Sequence, residues 1–210
     1  MAMAPEIPET VAVAIMAKAP IPGLAKTRLI STLGAHAAAV LQERLTERAV
    51  ETAFAAAIGP VTLWATPDSR HSAFQALAKN FPLALATQPD GDLGARMLAA
   101  VTAAKGPALV IGTDCPALSA DHLRAAAQAL HGHDVVLIPA EDGGYVSIGM
   151  GKPHEALFGD ISWGTAGVLD ETRTKIRAEG LKACEIETLW DVDGADDFAR
   201  LEREFPDLAL

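Results

Sequence analysis

Residues 108–118, Ala-Leu-Val-Ile-Gly-Thr-Asp-Cys-Pro-Ala-Leu, form an apolar run that stops abruptly at a carboxylate. Ala108 to Ile111 are all apolar, Gly112 permits close backbone approach, and Pro116 prevents the strand from continuing. The stretch therefore reads as a buried strand that delivers Asp114 to the edge of a sheet. In open parallel α/β sheets the binding crevice lies beyond the carboxyl ends of the strands, where a carboxylate can hold a metal or a substrate. An equally simple reading makes Asp114 the cap of a turn.

Outward from this strand the chain alternates. Val11 to Ala17 is a first buried strand, followed by a loop in which two prolines and a glycine between Lys18 and Leu24 exclude regular structure, so that Lys18, Lys26 and Arg28 hang directly after a strand end. An Ala-rich helix is expected over residues 34–57, a strand over 61–65, a helix over 69–80 capped by Asp68 or Ser69, and a short strand over 82–87. Asp90-Gly91 marks a turn before a helix from Leu93 to Lys105, and Ser119 is the N-cap of the helix after the Asp114 strand. This is the pattern of a doubly wound sheet. It is interrupted where the short turn Glu141 to Gly144 joins the strands 134–139 and 145–148, a length that suits antiparallel neighbours and a mixed sheet. A short helix over 153–158, a longer one from Gly164-Thr165 to about Glu179-Gly180, a strand over 182–187 and a final amphipathic helix after Asp193 complete the chain.

The 210 residues suit one domain, with residues 1–10 a flexible N-terminus. No apolar window is long enough to span a membrane and no signal peptide opens the chain. Two cysteines in no metal-binding spacing fit a reducing cytoplasm. A net charge of −10 argues against nucleic acid and anionic membranes as partners, so any phosphate needs a local cationic cluster.

Several motifs are excluded. Ala25 stands where a phosphate-binding P-loop requires glycine before Lys26, and no dinucleotide-binding glycine fingerprint follows the first strand. Residues 191–202 imitate a calcium loop but carry Ala195 and Asp196 where a ligand and a glycine are needed. His131 and His133 read as a solvated helix end. There remain cations after the first strand, a carboxylate after the fourth, and Asp191 and Asp193 late in the chain. Phosphate oxygens neutralised by Lys and Arg, with Asp supplying hard oxygen ligands to Mg²⁺ or Mn²⁺, account for all three. Solvated surface lysines, and carboxylates that only cap a helix, are the plainer alternatives.

Six blocks in order, KAPIPGLAKTRL, DLGARM, GTDCPAL, PAEDGGYVSIG, ISWGT and DVDGADDF, resemble the bacterial DUF2064 family of glycosyltransferase-like proteins. The resemblance implies a three-layer αβα sandwich with a mostly parallel mixed sheet, of the GT-A or nucleotide-diphospho-sugar transferase type. It implies that Lys18, Pro22, Gly23, Lys26 and Arg28 surround nucleotide phosphates, that Thr113 contacts the substrate, that Asp114 stands at the metal, and that Asp193, or its rival Asp191, is the late metal ligand. Gln88 and Arg96 would lie near base and ribose. Asp142, Gly143, Gly144, Tyr145 and Trp163 would face a small acceptor, with Asp142 the general base. The central motif has Cys115 and Pro116 after Asp114 and lacks the second carboxylate of the DxD found in many sugar transferases. The same fold serves nucleotidylyltransferases, among them the molybdenum-cofactor and phospholactate families. An NTP in place of a nucleotide-diphosphate sugar, or nucleotide binding without turnover, is the alternative.

Overall fold

The computed structural model describes residues 10–210, and the expected flexible N-terminus lies, but for Thr10, outside them. Seven strands alternate with seven α-helices: β1 Ala12–Lys18, α1 Ile30–Leu33, α2 Ala35–Ala56, β2 Val61–Thr66, α3 Ser72–Asn80, β3 Ala84–Thr87, α4 Leu93–Ala104, β4 Ala108–Ile111, α5 Ala120–Ala129, β5 Val135–Pro139, β6 Tyr145–Met150, α6 Val168–Ala178, β7 Ala183–Glu185 and α7 Ala195–Glu204. They form one sheet in the order β3-β2-β1-β4-β6-β5-β7. Only β6 runs antiparallel to its neighbours, as the short turn before it requires.

Every residue of β4 and β5 is buried, because helices cover both faces of the sheet. On one face Ile15, Leu63, Leu109 and Ile111 pack against Val50 of α2, Phe74 of α3 and Leu123 of α5. On the other, Ala14, Val110, Leu137 and Ile148 meet Met97 and Val101 of α4 and Leu169 and Ile176 of α6. A third cluster joins Leu41 and Leu45 of α2 to Trp190, Val192, Phe198 and Leu201, and so fastens the end of the chain to the helix that follows β1. The expected three-layer αβα sandwich with a mostly parallel mixed sheet is the observed architecture. Among the described residues no helix is long and apolar enough to cross a membrane.

Three local expectations are corrected. Lys18 is the last residue of β1, in register with Thr66, and the loop begins only after it. The helix expected from Ser69 begins at Ser72, because the Asp68 carboxylate accepts from its neighbour Arg70 N (2.8 Å) in a turn and His71 Nδ1 supplies the cap. The helix expected from Gly164-Thr165 begins at Val168; Thr165 Oγ1 donates to Ser162 O (2.8 Å) and accepts from Gly167 N (3.3 Å), which spends those groups on a turn. By contrast Ser119 caps α5 as expected, with His122 closing the capping box.

The 158–166 connection is held by close packing on glycine. A Cβ on Gly94, in the first turn of α4, would stand 2.3 Å from Phe158 O and 2.8 Å from the Trp163 ring. Gly94→Ala therefore forces backbone or indole to move, at a cost of about 1–3 kcal/mol. Thermal unfolding should show a melting temperature several degrees lower, at roughly 2–4 °C per kcal/mol for a chain of this size; an unchanged midpoint would contradict this packing.

Candidate functional site

The strand ends are drawn together by Lys26. Its backbone is left-handed (φ 45°, ψ 47°), a conformation that costs a non-glycine residue of order 1 kcal/mol or more, and its side chain is only 4% exposed. Nζ pairs with Asp114 Oδ1 at 2.7 Å and donates to Val192 O at 2.7 Å, while Val192 N donates to Asp114 O at 2.8 Å. One ammonium thus joins the loop after β1, the end of β4 and the segment before α7. Two of its three N–H groups are used, and the residue lines a cleft. Upstream of Val192, Leu189 N donates to Pro139 O and Leu189 O accepts from Glu141 N, so this segment runs parallel past the end of β5.

That cleft, of about 340 Å³, opens over β1 and β4 and is bordered by Lys18, Lys26, Arg28, Thr113, Asp114 and Asp193. Lys18 is exposed and enters no ion pair among the described residues. Arg28, 70% exposed, reaches Asp193 Oδ2 with Nη1 at 2.8 Å. Thr113 is buried, donates to Asp114 Oδ1 (3.2 Å) and accepts from Gln42 Nε2 (3.0 Å). Three cations therefore surround a space with two carboxylates on its rim, which suits an anionic ligand carrying a cation or hydroxyls of its own.

A second cleft of about 200 Å³ adjoins it, and Arg28, Leu93 and Asp193 line both. Its walls include Asp142, Asp191, Tyr145 and Trp163, the two rings meeting edge to face with centroids 6.4 Å apart. Asp142, Asp191 and Asp193 each offer a carboxylate oxygen within 4.8 Å of the others. Burial, and then the negative charges of Asp142, Asp193 and Asp114, push Asp191 up to about 6. Three oxygens at this separation fit around one Mg²⁺ or Mn²⁺, whose ligand distances are about 2.0–2.2 Å, and positive charge there relieves the repulsion that raises Asp191. Asp114 stands outside the trio, with its Oδ1 held by Lys26 and Thr113 and Oδ2 unbonded among the described residues.

The remaining expected residues divide. Gly144 lines the second cleft, but Gly143, with φ at +90° and space for a Cβ only 2.2 Å from Ala166 O, shapes the turn and lines neither cleft. Pro22 and Gly23 lie on an exposed turn outside both clefts, and their neighbour Leu24 lines the first. Gln88 and Arg96 also stand outside the two linings: Gln88 Nε2 donates to Trp64 O (2.8 Å), and Arg96 Nε donates to Gly91 O (3.0 Å), so both brace the 88–96 loop. Gly112 is exposed on the first cleft, where a Cβ would meet nothing closer than Asp114 N at 4.0 Å; the close approach it was expected to permit is to the cleft and not to the protein. Gln42 was missed, although a polar residue beside Leu41 and Leu45 on the apolar stripe of α2 is a readable signal. Leu24 and Leu93 were missed without any signal, since their exposure, 53% and 44%, is a property of the fold. Burial pushes the Cys115 thiol up to about 12, which leaves it no part as a nucleophile.

Lys26 and Arg28 should separate on substitution. Lys26→Ala leaves Val192 O and part of Asp114 without a partner and should cost roughly 1–3 kcal/mol of stability, less than a fully buried pair because Asp114 is 43% exposed. Arg28→Ala, at a solvated pair, should cost less than about 1 kcal/mol. Chemical denaturation of both variants checks the order. For Asp191 the folded state holds the proton more tightly than the unfolded chain, whose aspartates titrate near about 3.9, so its ionisation erodes stability as pH rises from there through about 6. Asp191→Asn should raise the melting temperature at pH 7.5, with the gain shrinking toward pH 5, and Mn²⁺ should stabilise the wild type more than the variant. A gain that does not change with pH would contradict the raised proton affinity that burial and the neighbouring charges give Asp191.

No curated protein matches the sequence significantly. Among solved structures, a protein from Desulfovibrio desulfuricans G20 described as a candidate nucleotide-diphospho-sugar transferase superposes with a TM-score of 0.83 at 26% identity, over 93% of this chain and 88% of that one. A Methanothermobacter nucleotidyl transferase gives 0.65 at 16% identity over 94% and 98% of the two chains. A Mycobacterium tuberculosis protein in complex with manganese gives 0.53 at 15% identity over 93% and 100%. These last two share the fold. The family described as an uncharacterized protein conserved in bacteria, DUF2064, matches residues 49–165, more than half of the sequence. This chain belongs to the DUF2064 family and has the nucleotide-diphospho-sugar transferase fold.

Proposed function

We propose that the chain is a metal-assisted transferase that moves a sugar from a nucleotide-diphosphate sugar to a small neutral acceptor. The observation that carries this reading is the division of charge between two adjoining clefts: cations gather in the first, and the second holds a carboxylate trio beside two aromatic rings. An anionic donor suits the first, and a hydroxylated acceptor without charge suits the second. The description of the Desulfovibrio protein supports the same reading.

In this reading Lys18, Arg28 and the free N–H of Lys26 hold the donor's diphosphate, and Asp191 and Asp193, with Asp114 at the border, hold Mg²⁺ or Mn²⁺. The ion, when bound, supplies positive charge for the leaving diphosphate. Asp142 accepts Gly144 N on Oδ1 at 2.8 Å, which fixes the carboxylate and leaves Oδ2 as general base. The acceptor hydroxyl gives its proton to Asp142, its oxygen bonds to the anomeric carbon, and the bond from that carbon to the diphosphate oxygen breaks. Residues 10–210 act as one domain, and the free cysteines suit a cytoplasmic protein.

A second reading, nucleotidylyl transfer, is favoured by the nucleotidyl transferases that share the fold. There a phosphorylated acceptor attacks the α-phosphorus of an NTP and pyrophosphate leaves.

A screen of purified protein with Mn²⁺ separates them. Release of nucleoside diphosphate from UDP-, GDP-, CDP- or ADP-sugars is expected. Pyrophosphate release from an NTP with a sugar phosphate would instead establish the second reading, and tight binding without turnover would make the chain a nucleotide-binding protein. Lys18→Ala and Arg28→Ala should each weaken binding of the nucleoside diphosphate by about tenfold, of order 1.5 kcal/mol for a charged hydrogen bond, and leave the nucleoside unaffected. Equal loss for both ligands would remove the phosphate role.

A further inference from the structure

The floor of the first cleft contains an acceptor whose orientation can be deduced by counting hydrogens. Gln42 of α2 is 3% exposed and lines the cleft. Its amide nitrogen reaches two hydroxyls, Thr113 Oγ1 at 3.0 Å and Thr46 Oγ1 at 3.3 Å. Each hydroxyl has one hydrogen, and each has spent it elsewhere: Thr46 on Gln42 O of its own helix (2.7 Å), Thr113 on Asp114 Oδ1 (3.2 Å). Both threonine oxygens can therefore only accept from Gln42, which fixes the amide with both N–H groups turned to the protein. Rotating the amide by half a turn would set oxygen against oxygen at one or both contacts.

Gln42 Oε1 is left over. It accepts no hydrogen bond among the described residues, and it is not among the polar atoms sealed from solvent, so it faces the cleft that the side chain lines. A carbonyl oxygen repels phosphate and needs a donor. Asp114, whose Oδ2 is open, lines the same cleft, so this part of the floor offers acceptors, which suit a hydroxyl donor rather than a bare anion.

We infer that Gln42 is a specificity-determining residue, whose Oε1 accepts a hydrogen bond from a ribose hydroxyl of the bound nucleotide. This rests on the nucleotide reading above. Ribose, and not the transferred sugar, is the source because Gln42 lines the first cleft alone and takes no part in the second. Loss of the hydroxyl strands a buried acceptor, which amounts to about a five- to hundredfold loss of affinity.

The test is calorimetric titration of the wild type, with Mn²⁺, by UDP, GDP and CDP and by the 2′-deoxy and 3′-deoxy counterparts of whichever binds. The wild type should prefer the ribonucleotide over one deoxy form by that factor. Gln42→Met, which keeps the length and removes the acceptor, should reduce the preference to near unity with a melting temperature that certifies the fold. Equal affinities for ribo and both deoxy forms in the wild type overturn the inference whatever the variant does, as does a preference that survives in Gln42→Met. Failure of UDP, GDP, CDP and, titrated in the same way, ADP to bind the wild type would instead overturn the nucleotide reading on which it depends, a distinct result.

Discussion

The whole strand-end arrangement hangs on one buried ammonium. Lys26 Nζ binds Asp114 Oδ1 and Val192 O, the latter 166 residues away in sequence. A charge removed from water must be paired and hydrogen-bonded or it destabilises the fold. Here the pairing is distributed over two other segments, and the Val192 to Asp114 backbone bond closes the triangle. Lysine suits the position because a four-carbon stem can be buried among apolar neighbours while three N–H groups point in different directions. The left-handed backbone at Lys26 is offset by the two short bonds of its head group.

That tie explains which parts of the molecule were legible. Strands such as Val135–Pro139 and helix starts such as Ser119 follow from local apolar runs and caps, and they were read to within a residue or two. The helix of α6 was placed three residues early because Thr165 looks like a cap, and its hydroxyl instead closes a turn. The site was read as a set of residues but not as an arrangement. Lys18, Lys26 and Arg28 are equivalent in a sequence, yet the structure buries the second, leaves the first unpaired and sets the third against Asp193. What distinguishes them is pairing with the distant Asp114, Val192 and Asp193, and no window around the loop contains that information.

The acidic residues show the same limit in another form. Asp114 and Asp193 border the first cleft together, and the carboxylates that gather within 4.8 Å are Asp142, Asp191 and Asp193. The cause is the parallel bridge of Ala140 to Leu189, which carries the late segment past the end of β5 before it reaches β4. Asp142 arrives there on the turn between the two antiparallel strands, with Gly143 allowing the backbone to reverse against Ala166. A contact made by three loops has no periodicity and no spacing from which to infer it.

The single carboxylate after β4 becomes intelligible in this setting. In a motif with two, the second would enter a volume where Asp191 already stands above its ordinary acidity range through burial and three like charges. Two unit charges about 4 Å apart at an effective dielectric of about 20 interact by roughly 4 kcal/mol, so a fifth carboxylate would add a substantial penalty unless a cation accompanied it. Lys26 partly neutralises Asp114 from the protein side, and Arg28 does the same for Asp193 from the solvent side. The net result is a gradient, positive over β1 and negative beyond β4, fixed before any ligand arrives. Before a cation binds, a phosphorylated acceptor would approach a negative end where, among the residues lining the second cleft, only Arg28 opposes the carboxylates, while a neutral hydroxylated acceptor meets no such barrier.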